Sequence, residues 1–401
     1  MARALSESVS MFARAGRGRP PSFDAAQLRA PLVWLHSDTL RGAQSLVALS
    51  EILLREEASP SVLLTHPEGL SKLPDLQGRA ALVLAADDAR FARALAAHVQ
   101  PAAFLSGGRH IPTGMIAALA SGGTRILLAE MEVPRLATGW RSLPGLLRRV
   151  LRQVDHVLLP NARARVEWSG YGLSEDALLS TGRLTVIQPA LGCNEAERDM
   201  LSDAFRHRTM WFAAHVPERE EDLVIAAHRE ALRESPRLAL ILNPADPRRG
   251  AALKAALAPR FSTALRSEDD PVTPETQIYI VDTEDERGLW YRLGVACYIG
   301  GTMGGEGALV NPMEAAGLGC AIVHGRMFGR FAEAFDLLRQ SRATRMVQGP
   351  EALGPAIGGA LRPEQAADMA NRGWQVIADG AEATEQVVGL LLAACAARGA
   401  G

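Results

Sequence analysis

Short runs of continuously apolar residues recur along the chain and alternate with amphipathic stretches of helical length. Such runs stand at residues 31–36 (PLVWLH), 125–129 (RILLA) and 238–242 (LALIL). Strands that are apolar on both faces are typical of a parallel sheet with helices packed on each side. The pattern therefore predicts an α/β fold.

An irregular stretch near the middle of the chain, residues 185–194, interrupts this alternation and contains a proline and a glycine. We interpret it as a linker between two domains. The predicted organisation is a tail at residues 1–30, a first Rossmann-like domain at 31–185 and a second Rossmann-like domain at 195–395. Ligands of such sheets bind at the carboxyl ends of the strands, so functional residues are expected there.

The composition excludes several classes of protein. Of the 401 residues 48% are apolar and the net charge is −2, which argues against a disordered chain and against a partner nucleic acid. No apolar run reaches the roughly 18 residues that a membrane helix needs. The four cysteines are widely spaced, so we expect reduced thiols in the cytoplasm. With no DxD motif and with scattered histidines, neither a metal nor a cofactor is expected.

Two basic segments allow a contact with an anionic membrane surface. The N-terminal tail carries Arg14, Arg17 and Arg19 beside apolar residues but lacks the apolar core of a signal peptide. Residues 141–151 (RSLPGLLRRVL) predict a basic amphipathic helix. A solvated tail and a solvated helix face explain the same patterns, so both interpretations stay open.

A glycine-rich loop follows the apolar run Cys297–Ile299 and precedes a predicted helix. Asn311 is placed as the N-cap of that helix, Pro312 as its first residue and Glu314 as its third. A loop of this kind can bring backbone N–H groups to a phosphate. It can equally be a tight turn without a ligand.

Several short motifs occur in a fixed order along the chain. They are residues 211–214 (WFAA) with 220–221 (EE), 282–283 (DT), 288–293 (GLWYRL), 300–302 (GGT), 311–316 (NPMEAA) and 328–332 (FGRFA), with fainter matches at 35–36, 139–146 (GWRSLPGL) and 181–182. Through these motifs the chain resembles the bacterial transferases of 3-deoxy-D-manno-octulosonic acid (Kdo), which move this sugar from CMP-Kdo to a lipid A precursor. The resemblance implies a GT-B glycosyltransferase, with two Rossmann-like domains facing a cleft.

The resemblance also implies a nucleotide-sugar site in the second domain. In that site residues 300–302 would hold the phosphate, and the acid of the following helix would bind the ribose hydroxyls or serve only the helix cap. The family's lysine and arginine are replaced by Thr185 and Ala245, and neighbouring arginines, Arg183, Arg248 or Arg249, could supply the missing charge. The expected nucleotide-sugar residues are Gly300, Gly301, Thr302, Asn311, Glu314, Arg183 and His215.

The first domain departs from the family at its catalytic base. The glutamate regarded as the family's base corresponds to Gly42 in this chain. The nearest replacements are Asp38, about one helical turn away, and His36; either would take the proton of the acceptor hydroxyl. Asp38 could instead be a simple N-cap for a helix beginning at Thr39, and His36 a buried structural histidine at a strand end.

Three functional hypotheses follow. The first is an inverting Kdo transferase of lipopolysaccharide biosynthesis, using CMP-Kdo as donor and a lipid A precursor as acceptor. It would be cytoplasmic, with a peripheral contact on the cytoplasmic face of the inner membrane as an option. The second is a GT-B enzyme, or a sugar-nucleotide epimerase, acting on another nucleotide sugar. The third is a paralogue that binds nucleotide without turnover.

Overall fold

The computed structural model describes residues 28–57, 59–68, 78–84, 87–136, 145–182, 191–206, 208–304 and 307–399. Contacts divide these residues into two compact units. The first unit contains the described residues up to 182 together with those from Asp379 onward, and the second contains residues 191–378. Most of the predicted tail, most of the predicted linker and the predicted site residue Arg183 lie outside the described residues.

The first unit is a parallel sheet whose strands have the order β3-β2-β1-β4-β5-β6-β7. Its strands are β1 (Leu32–His36), β2 (Ser61–His66), β3 (Arg79–Val83), β4 (Ala103–Gly107), β5 (Arg125–Ala129), β6 (His156–Leu159) and β7 (Leu178–Ser180). Its helices are α1 (Leu40–Leu53), α2 (Ala89–His98), α3 (Thr113–Leu119), α4 (Leu146–Leu151) and α5 (Ala162–Ser169).

The second unit repeats this plan with the strand order β10-β11-β9-β8-β12-β13-β14. Its strands are β8 (Met210–Val216), β9 (Ala239–Pro244), β10 (Thr263–Leu265), β11 (Ile278–Ile280), β12 (Ala296–Ile299), β13 (Ala321–His324) and β14 (Thr344–Met346). Its helices are α6 (Glu195–Ala204), α7 (Glu218–Glu234), α8 (Gly250–Leu257), α9 (Arg287–Leu293), α10 (Pro312–Gly317), α11 (Ala332–Gln340) and α12 (Leu353–Ala360); α13 (Pro363–Gly399) begins in this unit.

Each sheet is buried on both faces, as its continuously apolar strands predict. Along β1, Leu32 and Trp34 belong to one apolar cluster, while Val33 and Leu35 belong to the cluster on the opposite face. Successive side chains of a strand point to opposite faces, so such a strand needs apolar residues at every position. The prediction of an α/β fold with two Rossmann-like domains is confirmed.

The C-terminal helix corrects the expected domain boundary. The sequence analysis placed residues 195–395 in the second domain, but α13 joins the first unit from Asp379 onward. The physical reason is its apolar side: Val387, Leu391 and Cys395 are buried in the same cluster as strands β1 and β2. No helix among the described ranges is both long enough and apolar enough to span a membrane.

In each sheet the strand order reverses at one place. The reversal lies between β1 and β4 in the first unit and between β8 and β12 in the second. The loops after two such strands turn to opposite sides of the sheet and leave a crevice for ligands at its carboxyl edge. Functional side chains are therefore sought after His36 and Gly107, and after Val216 and Ile299.

Candidate functional site

Helix α1 packs unusually close to the end of strand β4. A Cβ atom on Gly42 would overlap the carbonyl oxygen of Gly107 and would lie 2.5 Å from Ser37 Oγ. Real Cβ atoms essentially never come within 3.0 Å of such neighbours. This backbone therefore has no room for any side chain at the position where the resemblance places a catalytic glutamate.

Asp38 does not cap helix α1. The N-cap is Thr39, whose Oγ1 accepts a hydrogen bond from Gly42 N at 3.1 Å. Asp38 Oδ1 instead accepts from Arg109 N at 2.5 Å, and Asp38 Oδ2 lies 2.7 Å from His110 Nδ1. The carboxylate thus joins the loop after β1 to the loop after β4, at the switch point of the sheet.

Gly108 makes this contact possible, because a Cβ atom there would overlap Asp38 Oδ1. The side chain of Asp38 is 17% exposed and that of His110 is 35% exposed, so the pair lies at the surface of the unit. An ionised carboxylate only accepts hydrogen bonds, so Nδ1 of a neutral His110 carries the proton and its Nε2 is left with a lone pair.

His36 lies in the interior. Its side chain is 1% exposed, its Nδ1 is 2.9 Å from Thr65 Oγ1, and its ring stacks on Phe104. Burial lowers the pKa of His36 to about 4, against an opposing effect of Asp38. A neutral imidazole enclosed in this way corresponds to the structural interpretation of His36 rather than to a base that meets a substrate.

A pocket of about 370 Å³ lies at this carboxyl edge. Its walls come from the start of α1 and from the segments that follow β4 and β5, and they mix basic with acidic side chains. The lining residues are Thr39, Gly42, Gly107, Gly108, Arg109, Glu130, Met131, Glu132, Val133 and Arg135. The neighbours of Asp38 and His110 in the chain therefore border a space that can admit a small polar group.

In the second unit the glycine loop is filled by a carboxylate of the protein itself. Glu220, which is 1% exposed, accepts hydrogen bonds from Gly301 N at 2.8 Å and from Met303 N at 2.9 Å. The hydroxyl of Tyr298 donates to the same carboxylate at 2.8 Å. The N–H groups that the sequence analysis assigned to a phosphate thus have an internal partner.

The expected phosphate-binding residues are packing residues in this structure. Thr302 is fully buried; its Oγ1 donates to Ile299 O and accepts from Gly325 N. A Cβ on Gly300 would overlap the carbonyl oxygen of His215, and Gly301 has a φ of 80°. The geometry at these residues favours the tight-turn alternative, and their role in phosphate binding stays a prediction.

A cation, a carboxylate and an imidazole gather beside this loop instead. Arg287 Nε, at the start of α9, lies 3.2 Å from Glu314 Oε2, and the Glu314 side chain is 10% exposed. Burial lowers the pKa of His215; the charge of Arg287 lowers it further, while Glu314 and Glu284 raise it. These residues therefore share one electrostatic environment at the carboxyl edge of the second sheet.

His215 is held in a rare backbone conformation. Its φ is 51°, and the register between β8 and β9 shifts at this point, which marks a bulge. Asn243 Oδ1 accepts from His215 N at 3.1 Å and lies 3.0 Å from His215 Nδ1, while Asn243 Nδ2 donates to Val281 O. Bulges and left-handed non-glycine residues cluster at functional sites, so this geometry favours His215 as a ligand-contacting residue.

The other residues predicted for the nucleotide-sugar site differ in what they contact. Asn311 is the N-cap of α10, accepting from Met313 N at 3.1 Å, with Pro312 first in the helix, as predicted. Arg249 forms ion pairs with Glu218 and Glu221, and Arg248 forms an ion pair with Asp246. The sequence analysis missed Arg287 and His110, because their partners lie far away in the sequence.

Known proteins similar to this chain include transferases of the sugar named by the resemblance. The model of the 3-deoxy-D-manno-octulosonic-acid transferase (kdotransferase) family matches residues 10–186. A probable mitochondrial transferase of this sugar from Arabidopsis thaliana is 29% identical over 159 residues, covering 39% of this chain. The enzyme of that name from Haemophilus influenzae is 25% identical over 187 residues, covering 46% of this chain. These matches support the resemblance to the Kdo transferases, with this chain as a divergent relative.

The likeness to other Kdo transferases covers only part of each protein. The matched regions make up 35% of the Arabidopsis relative and 44% of the Haemophilus relative, so the chain spans less than half the length of each. Among solved structures, the C-terminal CMP-Kdo binding domain of WaaA from Acinetobacter baumannii matches 46% of this chain and 98% of its own. The identity is 22% and the TM-score 0.42.

Proposed function

We propose that this protein is a glycosyltransferase that moves Kdo from CMP-Kdo to a lipid A precursor in lipopolysaccharide biosynthesis. The match to the Kdo transferase family model over residues 10–186 supports the reaction class. The observation that carries the proposal is the group formed by His215, Arg287 and Glu314 at the carboxyl edge of the second sheet. Ligands of Rossmann-like sheets bind at this edge.

The chemistry of these three side chains suits the donor. CMP-Kdo carries a phosphate and a carboxylate, and the cationic side chain of Arg287 can form an ion pair with either group. Glu314 can accept hydrogen bonds from the ribose hydroxyls, as the resemblance implies. His215 has its Nδ1 engaged by Asn243, so its Nε2 is left to face a donor group. When the nucleotide binds, its contacts with Arg287 and Glu314 would replace part of the ion pair between these two side chains.

The first unit would then receive the acceptor. The pocket after β1, β4 and β5 is bordered by the segment in which the family carries its catalytic base. Helix α4 places Arg148 and Arg149 in exposed positions, which suits a peripheral contact with the anionic cytoplasmic face of the inner membrane. We include this contact in the proposal.

Calorimetric titration with CMP, and with UDP as the control nucleotide, tests the donor half. We expect CMP to bind and UDP to bind at least tenfold more weakly. Substituting Arg287→Ala removes a charged partner worth about 1.5–3 kcal/mol, so the CMP dissociation constant should rise roughly 10- to 150-fold. Arg165→Ala is the matched control, because it breaks an Arg–Glu pair in the other unit. Equal affinity for CMP and UDP would refute the proposed donor.

The absence of a side chain at Gly42 supports a second candidate, a paralogue that binds nucleotide without transferring sugar. This candidate predicts CMP binding that depends on Arg287 but no transfer of Kdo to any acceptor. Binding of UDP in preference to CMP would instead favour an enzyme for another nucleotide sugar.

A further inference from the structure

We propose that His110 is the general base of the transfer reaction and that Asp38 is its positioning residue. This inference rests on the proposed function, because it assigns the proton acceptor for that reaction. It differs from the expectation that Asp38 or His36 takes the proton directly. Three features of the structure support this inference. Gly42 has no space for a side chain, Asp38 contacts His110, and both residues lie in the loops at the switch point of the first sheet.

The position used by the family is closed in this chain. Gly42 packs against the Gly107 carbonyl group and Ser37 Oγ, so a carboxylate cannot be carried on that residue. A base at this edge must come from another element. Asp38 has both carboxylate oxygens engaged, one by Arg109 N and the other by His110 Nδ1. Asp38 is therefore placed to orient the imidazole of His110 rather than to contact a substrate itself.

His110 has the complementary geometry. Its ring is one-third exposed, and only Nδ1 is held by Asp38. Because the carboxylate fixes the proton on Nδ1, the lone pair of Nε2 is free to accept a proton from a hydroxyl group. Gly108 permits the contact by lacking a Cβ, and Gly108 and Arg109 line the pocket next to it. The charged groups around the pair are Asp38 and Arg109, with Glu130, Glu132 and Arg135 in the pocket wall.

The loop that carries His110 is fixed from its other side. The carboxylate of Asp87 accepts hydrogen bonds from Gly114 N at 2.7 Å, Met115 N at 2.8 Å and Thr113 Oγ1 at 3.1 Å. Helix α3 therefore begins at a defined place three residues after His110. An imidazole between two anchored points keeps its orientation when a substrate approaches.

The step balances as follows. The acceptor hydroxyl oxygen forms a bond to the anomeric carbon of Kdo while His110 Nε2 takes the hydroxyl proton. The bond between that carbon and the phosphate oxygen breaks, and its electron pair leaves with CMP. Asp38 remains ionised and stabilises the imidazolium, which afterwards releases its proton to water.

The test compares His110→Gln with wild type in a transfer assay with CMP-Kdo and a lipid A precursor. We expect kcat to fall 10²- to 10⁴-fold, with CMP affinity and thermal stability unchanged. His66→Gln is the matched control, since His66 ends the neighbouring strand β2, and it should keep kcat within a few-fold of wild type. Added imidazole should restore part of the rate in His110→Ala, where the ring is missing.

Asp38→Asn tests the positioning role separately. The amide would donate to Nδ1, which moves the ring proton to Nε2, so kcat should fall while KM changes little. A His110→Gln variant with a kcat within threefold of wild type overturns this inference alone. A wild-type protein that binds CMP but transfers no sugar overturns both this inference and the proposed reaction.

Discussion

The close approach of α1 and β4 makes an unusual prediction about Gly42→Ala. Alanine in place of a helical glycine ordinarily stabilises by about 1 kcal/mol, because glycine has more conformational entropy to lose. Here the new methyl group would lie 2.5 Å from Ser37 Oγ and 2.9 Å from the Gly107 carbonyl carbon, and it would overlap the carbonyl oxygen. Forcing a methyl group into a packed site costs typically 1–3 kcal/mol. Set against the ordinary gain, this cost leaves a net destabilisation of about 0–2 kcal/mol.

The same unit offers a control with the opposite sign. Gly389 lies in α13 with no atom within 4 Å of a Cβ built on it, and it is exposed. Gly389→Ala should stabilise by about 0.5–1 kcal/mol. At roughly 2–4 °C per kcal/mol, scanning calorimetry should show Tm lowered by up to about 8 °C in Gly42→Ala and raised by about 1–4 °C in Gly389→Ala. A Gly42→Ala protein stabilised as much as Gly389→Ala would refute the packing argument, and with it the reason for moving the base.

Two further predictions concern stability. Glu220→Gln replaces a carboxylate that accepts three hydrogen bonds with an amide that offers one acceptor oxygen. Denaturant unfolding should therefore show a free energy of unfolding lowered by about 1–3 kcal/mol. The exposed Glu218→Gln is the control and should change this free energy little, so equal effects of the two substitutions would contradict the buried role of Glu220. Burial lowers the pKa of three histidines to about 4, so between pH 6.5 and 4 the unfolded chain binds protons that the folded chain does not. Unfolding free energy should therefore fall on acidification by at most about 1.4 kcal/mol per pH unit for each histidine, and a flat profile in this window would contradict their burial. These histidines are His36, His228 and His324.

The sequence determined the fold more readily than the site because the fold depends on local pattern. Continuous apolar runs identify strands that are buried on both faces, and the Asn-Pro-x-Glu start of α10 lies within four residues. The strands β10 and β14 are harder to predict from such runs. Both have three residues at the edges of the second sheet, and β14 (TRM) lacks an apolar run. Edge strands need less apolar sequence, so they leave a weaker pattern.

The site depends on partners that are distant in sequence. Glu220 reaches the glycine loop across 81 residues, and Asp38 reaches His110 across 72. A glycine-rich loop before a helix has one local pattern whether its N–H groups meet a phosphate or a buried carboxylate. The sequence predicts which residues lie near the end of a strand, but it does not predict which of these residues contact one another. Gly42 is an example: the sequence shows the glycine, but the carbonyl group that excludes a side chain there belongs to Gly107, which is far away in the sequence.

Transfer of Kdo by this chain is tested most directly by a transfer reaction. The purified protein is incubated with CMP-Kdo and a lipid A precursor, and the lipid product is examined by mass spectrometry. We expect a lipid whose mass has increased by one or more Kdo residues, with one CMP released for each Kdo transferred. An unchanged lipid, from a protein that calorimetry shows to bind CMP, would contradict the proposed function.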